Sequence, residues 1–274
     1  MTTDPVTHVG LLTVRNEPDV LPAALAHHAA RFTDIVVLDG STRCPRKLYR
    51  TCPSVKKLFQ DRNILKKNER FCDAHRRVPL EWIRDHYPPE TTWITLLHAD
   101  EFWWDNPLAM AALAHAEDCT FILWGEYRFF LHTTDRDTLD LRAPVTRRLT
   151  WYVGPFFEVR QFRLREHQTY VPGRDHQTLP VGLPGRRWPI IPRYRHYPYR
   201  SPAQVVRAYL DKCATRYWQP DHDWLGARPQ FDPFVRHLPK PHNSPLAKHT
   251  WDRVRRFDGN LPNPARFLPE WWTG

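Results

Sequence analysis

The sequence predicts an α/β fold, a mostly parallel sheet flanked by helices, followed by a C-terminal helical and irregular extension. Three observations predict it. Short apolar, β-branched runs alternate with segments of helical period as far as Phe130, the pattern expected of a parallel sheet covered on both faces. Three of those runs end in polar clusters, Arg15-Asn16-Glu17, Asp39-Gly40-Ser41 and His98-Ala99-Asp100-Glu101. Beyond Arg142 the alternation gives way to prolines and arginines, as expected of chain draped over the sheet.

The first strand is expected in HVGLLTV, His8 to Val14, because the run is short, apolar and closed by polar residues. Pro18 then opens a helix in which Val20, Leu21, Ala24, Leu25 and His28 recur at helical spacing. DIVVLDGS, Asp34 to Ser41, is the second strand, and Lys56 to Leu65 supplies a further short one. Glu69 to His86 reads as a helix with a partly apolar face, TTWITLLHAD as the third convincing strand, Pro107 to Ala116 as an alanine-rich helix, and CTFILWGEYRFF as another strand. Strand-like pieces QFRLRE and TYVPG follow, then a helix from Pro202 to Tyr217 and a modest helical stretch from Leu246 to Phe257. The expected division is residues 1–210 as a catalytic domain and 211–274 as an extension packed on it.

With 274 residues, 41% hydrophobic and 26% charged, the chain has enough apolar material for a core, and wholesale disorder is excluded. No apolar stretch is long enough to cross a bilayer, and no secretory leader pattern opens the chain, so a cytoplasmic location is expected. Cys44, Cys52, Cys72, Cys119 and Cys213 are odd in number and form no C-x-x-C pair, which favours reduced thiols over a disulfide framework or zinc knuckle. The formal charge of +10, carried in doublets such as Arg46-Lys47, Lys56-Lys57 and Arg147-Arg148, favours a polyanionic partner.

Ligands of parallel α/β sheets gather outside the carboxyl ends of the strands, so the three polar clusters are expected to share one site. Asp39 is either a turn carboxylate or an acceptor for a ribose or base edge. His98, Asp100 and Glu101 are residue types that gather Mg²⁺ or Mn²⁺. Strand alternation sends His98 and Asp100 one way and Glu101 the other, which makes Asp100 the preferred ligand; in the plainer reading Asp100 caps the next segment and Glu101 is solvated.

VRNEPDVLPAAL, IVVLDGST and WITLLHADEFW together resemble the nucleotide-sugar-binding half of GT-A glycosyltransferases, the family-two-like group in particular. RHYPYRSPAQVVRAYL, Arg195 to Leu210, resembles the segment that closes such domains, and the resemblance spans roughly Thr7 to Leu210. It implies a Rossmann-like GT-A sheet and a nucleoside-diphosphate sugar donor, a UDP-sugar first. It also implies nucleotide contacts from Arg15, Asn16, Glu17, Asp39, His98 and Arg195, and an Mn²⁺ or Mg²⁺ ion on Asp100 and His196. The family's acidic D-x-D motif reads His98-Ala99-Asp100 here, so a His replaces its first acid. An inverting mechanism needs a carboxylate base; Asp175 is the first candidate, with Glu126 and Glu158 competing and an ordinary salt bridge as the alternative for each.

The acceptor has three readings. Nucleic acid comes first, for example a hydroxymethylated pyrimidine in DNA gripped by charge and by Trp218, Trp224, Trp251, Arg253, Arg255, Arg256, Trp271 and Trp272. A saccharide or lipid-linked acceptor at an anionic membrane face is second, and a catalytically silent nucleic-acid-binding module third.

Overall fold

The computed structural model describes residues 6–61, 73–171, 179–183, 185–207 and 254–268. They fall into two compact units. Residues 6–61, 73–124, 158–171, 179–183 and 185–192 belong to the first, and 125–157, 193–207 and 254–268 to the second. The boundary expected at residue 210 lies outside the described residues, as do most of the helix expected up to Tyr217 and the C-terminal tryptophans; residues 202–207 are helical.

The first unit is built on four parallel strands: β1 (Thr7–Val14), β2 (Asp34–Asp39), β3 (Val55–Gln60) and β4 (Thr92–His98). Their order is β3-β2-β1-β4, with Val9 paired to both Asp34 and Ile94. β1, β2 and β4 are buried almost throughout, which is why they read as continuous apolar runs rather than as alternating ones. Gly10 permits the close packing: a Cβ there would stand 2.6 Å from Leu97 Cδ1 and 3.2 Å from the Phe32 ring. Helices α1 (Leu21–Ala29), α2 (Arg46–Arg50), α3 (Arg77–His86) and α4 (Pro107–Ala116) connect these strands and follow them. α1 buries Leu21, Ala24, Leu25 and His28, the one-face spacing anticipated. α4 begins where Pro107 follows the Asn106 cap, whose Oδ1 accepts from Leu108 N at 3.0 Å.

The sheet is mixed, not mostly parallel. After the short strand β5 (Glu101–Trp103) come β6 (Phe121–Phe130) and β7 (Trp151–Arg163). The end of β7 lies antiparallel to β4, with Ile94 opposite Phe162 and Thr95 opposite Gln161. Segment QFR therefore belongs to the sheet rather than draping over it. Gln161 supplies the physical reason: its amide donates to His8 Nε2 at 3.0 Å and to Pro107 O at 2.7 Å, while Oε1 accepts from Trp124 Nε1 at 3.1 Å. That buried polar knot leaves β7 one register beside β4. Val9, Leu11, Val36, Ile94 and Leu96 pack there against Leu80 and Ile83 of α3 and Phe162 of β7, each full burial stabilising by roughly 1.5–3 kcal/mol.

In the second unit β6 pairs in parallel with β8 (Arg193–His196), and β7 pairs antiparallel with β9 (Arg255–Arg256). The helix expected from Leu246 to Phe257 is thus overturned at its described end. Arg255 and Arg256 pair with Tyr152 and Trp151, and Phe257 N donates to Thr150 O at 2.6 Å. Phe257 stands edge-on to Phe129, 5.7 Å between centroids. Strand pairing and aromatic packing outweigh a weak local helical period.

Candidate active site

The order β3-β2-β1-β4 reverses direction of travel between β1 and β4, and such a reversal opens a crevice at the carboxyl ends of the two strands. Here a cleft of about 170 Å³ is lined by Thr13, Val14, Arg15, Glu17, His98, Ala99 and Asp100. Thr13 and His98 are register partners, so the cleft sits where the paired strands part. Four residues singled out from the sequence therefore meet: Arg15, Glu17, His98 and Asp100.

Asn16 and Asp39 do not line that cleft. Asn16, at φ 52°, accepts through Oδ1 from Thr42 N and Thr42 Oγ1, both at 3.0 Å, and its N–H donates to Ser41 Oγ at 2.8 Å. It ties the loop after β1 to the loop after β2. Asp39 is fully buried; Oδ1 accepts from Ser41 N and Oδ2 from the Tyr49 hydroxyl, each at 2.6 Å. Burial and that carboxylate push the Tyr49 hydroxyl pKa far up, so the phenol stays a donor. Asp39 thus anchors its own turn and α2 in the manner of a turn carboxylate.

Glu101 is fully buried, which overturns the plainer reading in which it is solvated. The strand breaks at Ala99-Asp100 and restarts as β5, which cancels the simple alternation and turns Glu101 inward. Glu101 Oε1 accepts from Arg160 Nη2 at 2.6 Å and from His98 Nδ1 at 3.0 Å, and Oε2 accepts from His98 N at 3.3 Å. Arg76 Nη2 donates to His98 Nε2 at 2.8 Å, and Arg76 Nε to Thr13 Oγ1 at 3.3 Å. The tautomer that satisfies both contacts carries hydrogen on Nδ1 and a lone pair on Nε2. His98 is thereby clamped between an acid and a guanidinium, and neither ring nitrogen is left to ligate a metal.

Arg76, 2% exposed, brings a buried cation to two residues of the cleft wall. Sequence reading missed it because Arg76-Arg77 is one more basic doublet inside the helix expected from Glu69 to His86; Arg76 instead ends the 3-10 turn Asp73–Arg76 and stands at the N-cap of α3. Glu158, one of the candidate bases, pairs with Arg160 at 2.7 Å and is 38% exposed.

The second unit gathers another set. Glu126 faces Tyr194 and Arg128 faces His196 across the β6–β8 pair, so four side chains share one face of two strands. Glu126, 1% exposed, accepts from Arg128 Nε and from His196 Nδ1, each at 2.7 Å, and from the Tyr194 hydroxyl at 3.3 Å. His196 is oriented by this carboxylate with Nδ1 as the donating nitrogen, the carboxylate–histidine arrangement that metal ligands and bases share. Arg195, one residue along, lies on the opposite face of β8, its guanidinium 6.0 Å from the Tyr197 ring centroid. Asp175 lies outside the described residues.

Among the described residues no three His, Cys, Asp or Glu groups come together to hold a metal ion, and no helix there is long and apolar enough to cross a membrane. Within the first unit Glu17 and Asp100 are the carboxylates lining the cleft, too few for a protein-only cage. No protein-family model matches the chain, and no curated protein sequence matches it.

Proposed function

We propose that the chain is a glycosyltransferase of GT-A type. In this reading the cleft between the ends of β1 and β4 receives the diphosphate of a nucleotide-sugar, a UDP-sugar first, and the sugar passes to an acceptor hydroxyl. One observation carries the reading: the reversal of strand order between β1 and β4 coincides with a cleft holding Arg15, Glu17, His98 and Asp100. These residues lie in the segments that resemble the family, so sequence pattern and crevice agree on one place.

Sugar transfer needs positive charge at the departing diphosphate and a base at the acceptor. Arg15 lies in the cleft wall, and Arg76 charges it from behind through Thr13 and His98. Glu101, by fixing His98 and Arg160, holds this wall in place before any ligand arrives. Mg²⁺ and Mn²⁺ sites commonly combine one or two carboxylates with substrate phosphates; Asp100 and Glu17 are the residues that would hold such an ion alongside the diphosphate, where it would supply further positive charge. For the base, Asp175 remains the first candidate. Glu126 would have to give up a hydrogen bond from Arg128, His196 or Tyr194 to take a proton, and Glu158 its pairing with Arg160. A polyanionic acceptor, DNA carrying hydroxymethylated pyrimidines in particular, fits the +10 charge.

The test is thermal unfolding of the full chain with a panel of nucleoside-diphosphate sugars, with and without Mn²⁺. Ligand at about a hundred times its Kd stabilises by about 2.7 kcal/mol, which raises Tm by roughly 5–10 °C at this size. Asp100→Ala and Arg15→Ala are expected to abolish the shift while leaving the unliganded Tm in place. A panel in which no nucleotide-sugar moves Tm defeats the proposal.

A further inference from the structure

A second cleft in the first unit, about 360 Å³ in volume, lies between α2 and β3 and is lined by Arg46, Arg50, Lys56 and Lys57, with no carboxylate among its described lining residues. Little nearby neutralises them. Arg46 Nη2 donates to Gln60 Oε1 at 2.5 Å, which orients the guanidinium without cancelling its charge. Lys57 Nζ lies 5.6 Å from the Phe59 ring centroid. Lys56 pairs with Asp34 at 3.4 Å, but its side chain is 46% exposed, so solvent screens the pair. Arg50 is exposed.

Lysines on an exposed edge strand deter sheet-to-sheet pairing, and β3 ends the strand order. That explains Lys56 and Lys57 but not Arg46 and Arg50. These two stand one helical turn apart on α2, roughly 6 Å between Cβ atoms, and line the same cleft from the other side. Four like charges turned on one cleft repel each other, a cost that a bound anion removes. The apolar lining is Val55, Leu58 and the largely buried ring of Tyr49, too little for a ligand with a large greasy body. Cations spread over two elements match several linked phosphates better than a single one.

We infer that the α2–β3 cleft is a phosphate-backbone site that holds a nucleic-acid strand. It requires neither a sugar donor nor transfer, so it and the proposed reaction fail separately. The test is fluorescence anisotropy of a labelled single-stranded DNA oligonucleotide with the full chain, from about 50 to about 200 mM salt, a range over which phosphate contacts show clearly. The triple variant Arg50→Gln, Lys56→Gln, Lys57→Gln is expected to bind at least about tenfold more weakly. At about 0.7 per phosphate contact for single strands, its slope of log K against log salt falls by about 2. A control triple of exposed residues with the same charge change, Arg77→Gln, Arg142→Gln, Arg147→Gln, is expected to stay within about threefold of the parent. Arg50→Gln alone, which leaves the strand untouched, is expected to lower the slope by about 0.7. Equal weakening by cleft and control triples, or no binding at the lowest salt, overturns the inference. So does a cleft triple that loses binding to phosphatidylserine vesicles while keeping DNA, since that result assigns the charge to a membrane surface.

Discussion

Replacing Glu101 with Gln tests whether the wall of the β1–β4 cleft is built in advance. The substitution keeps volume and removes one charge at a fully buried position. It leaves the Arg160 guanidinium, 4% exposed, without the carboxylate 2.6 Å away; the amide oxygen can still accept from Arg160 and His98 Nδ1, but the amide nitrogen then sets a donor against the His98 N–H that Oε2 now accepts. Breaking one side of a buried ion pair costs about 3–5 kcal/mol. Glu158, 2.7 Å from the same Arg160 nitrogen but 38% exposed, offsets part of this, which places the expected loss near the low end, about 3 kcal/mol. At this chain length that corresponds to a Tm drop of roughly 6–12 °C. Thermal unfolding followed by circular dichroism reads it. The double variant Glu101→Leu, Arg160→Met, which removes both charges together, is expected to recover much of the loss. A Glu101→Gln protein within a degree or two of the parent would refute the reasoning, because it would mean that the acid carries no buried charge partner.

Two further outcomes follow from buried polar groups. Burial lowers the His8 pKa to about 3 and the His28 pKa to about 4; in the folded chain both are neutral through the acid range, whereas the unfolded chain protonates them near 6.5. Their contribution is therefore intact above pH 6.5 and lost on acidification, down to about 4 for His28 and about 3 for His8, by about 1.4 kcal/mol per pH unit for each. Urea midpoints measured at pH 7.5, 6 and 5 are expected to fall on that side only, and a flat profile counts against the burial. Tyr49→Phe strips Asp39 Oδ2 of its 2.6 Å donor and is expected to cost about 1–3 kcal/mol, the penalty of a buried acceptor left unmade; chemical denaturation checks it, and a loss below about half a kcal/mol contradicts the anchoring role.

The amino-acid sequence by itself determined β1, β2, β4 and α4, because each is written in a local period: a continuous apolar run for a strand covered on both faces, a small-residue stripe behind an Asn-Pro start for the helix. It also marked Arg15, Glu17, His98 and Asp100 as companions, since parallel strands carry their polar ends to one edge. Tertiary structure alone decided the rest. Whether β7 enters beside β4 depends on Gln161 meeting His8 across 153 residues, Glu101 is turned inward by Arg160, 59 residues on, and Glu126 finds His196 at a separation of 70. Sequence alone names neither acid's partner. Periodicity reports which face a residue takes within its own element, but charge burial is settled by the partner that reaches it, and that partner is a property of the folded chain.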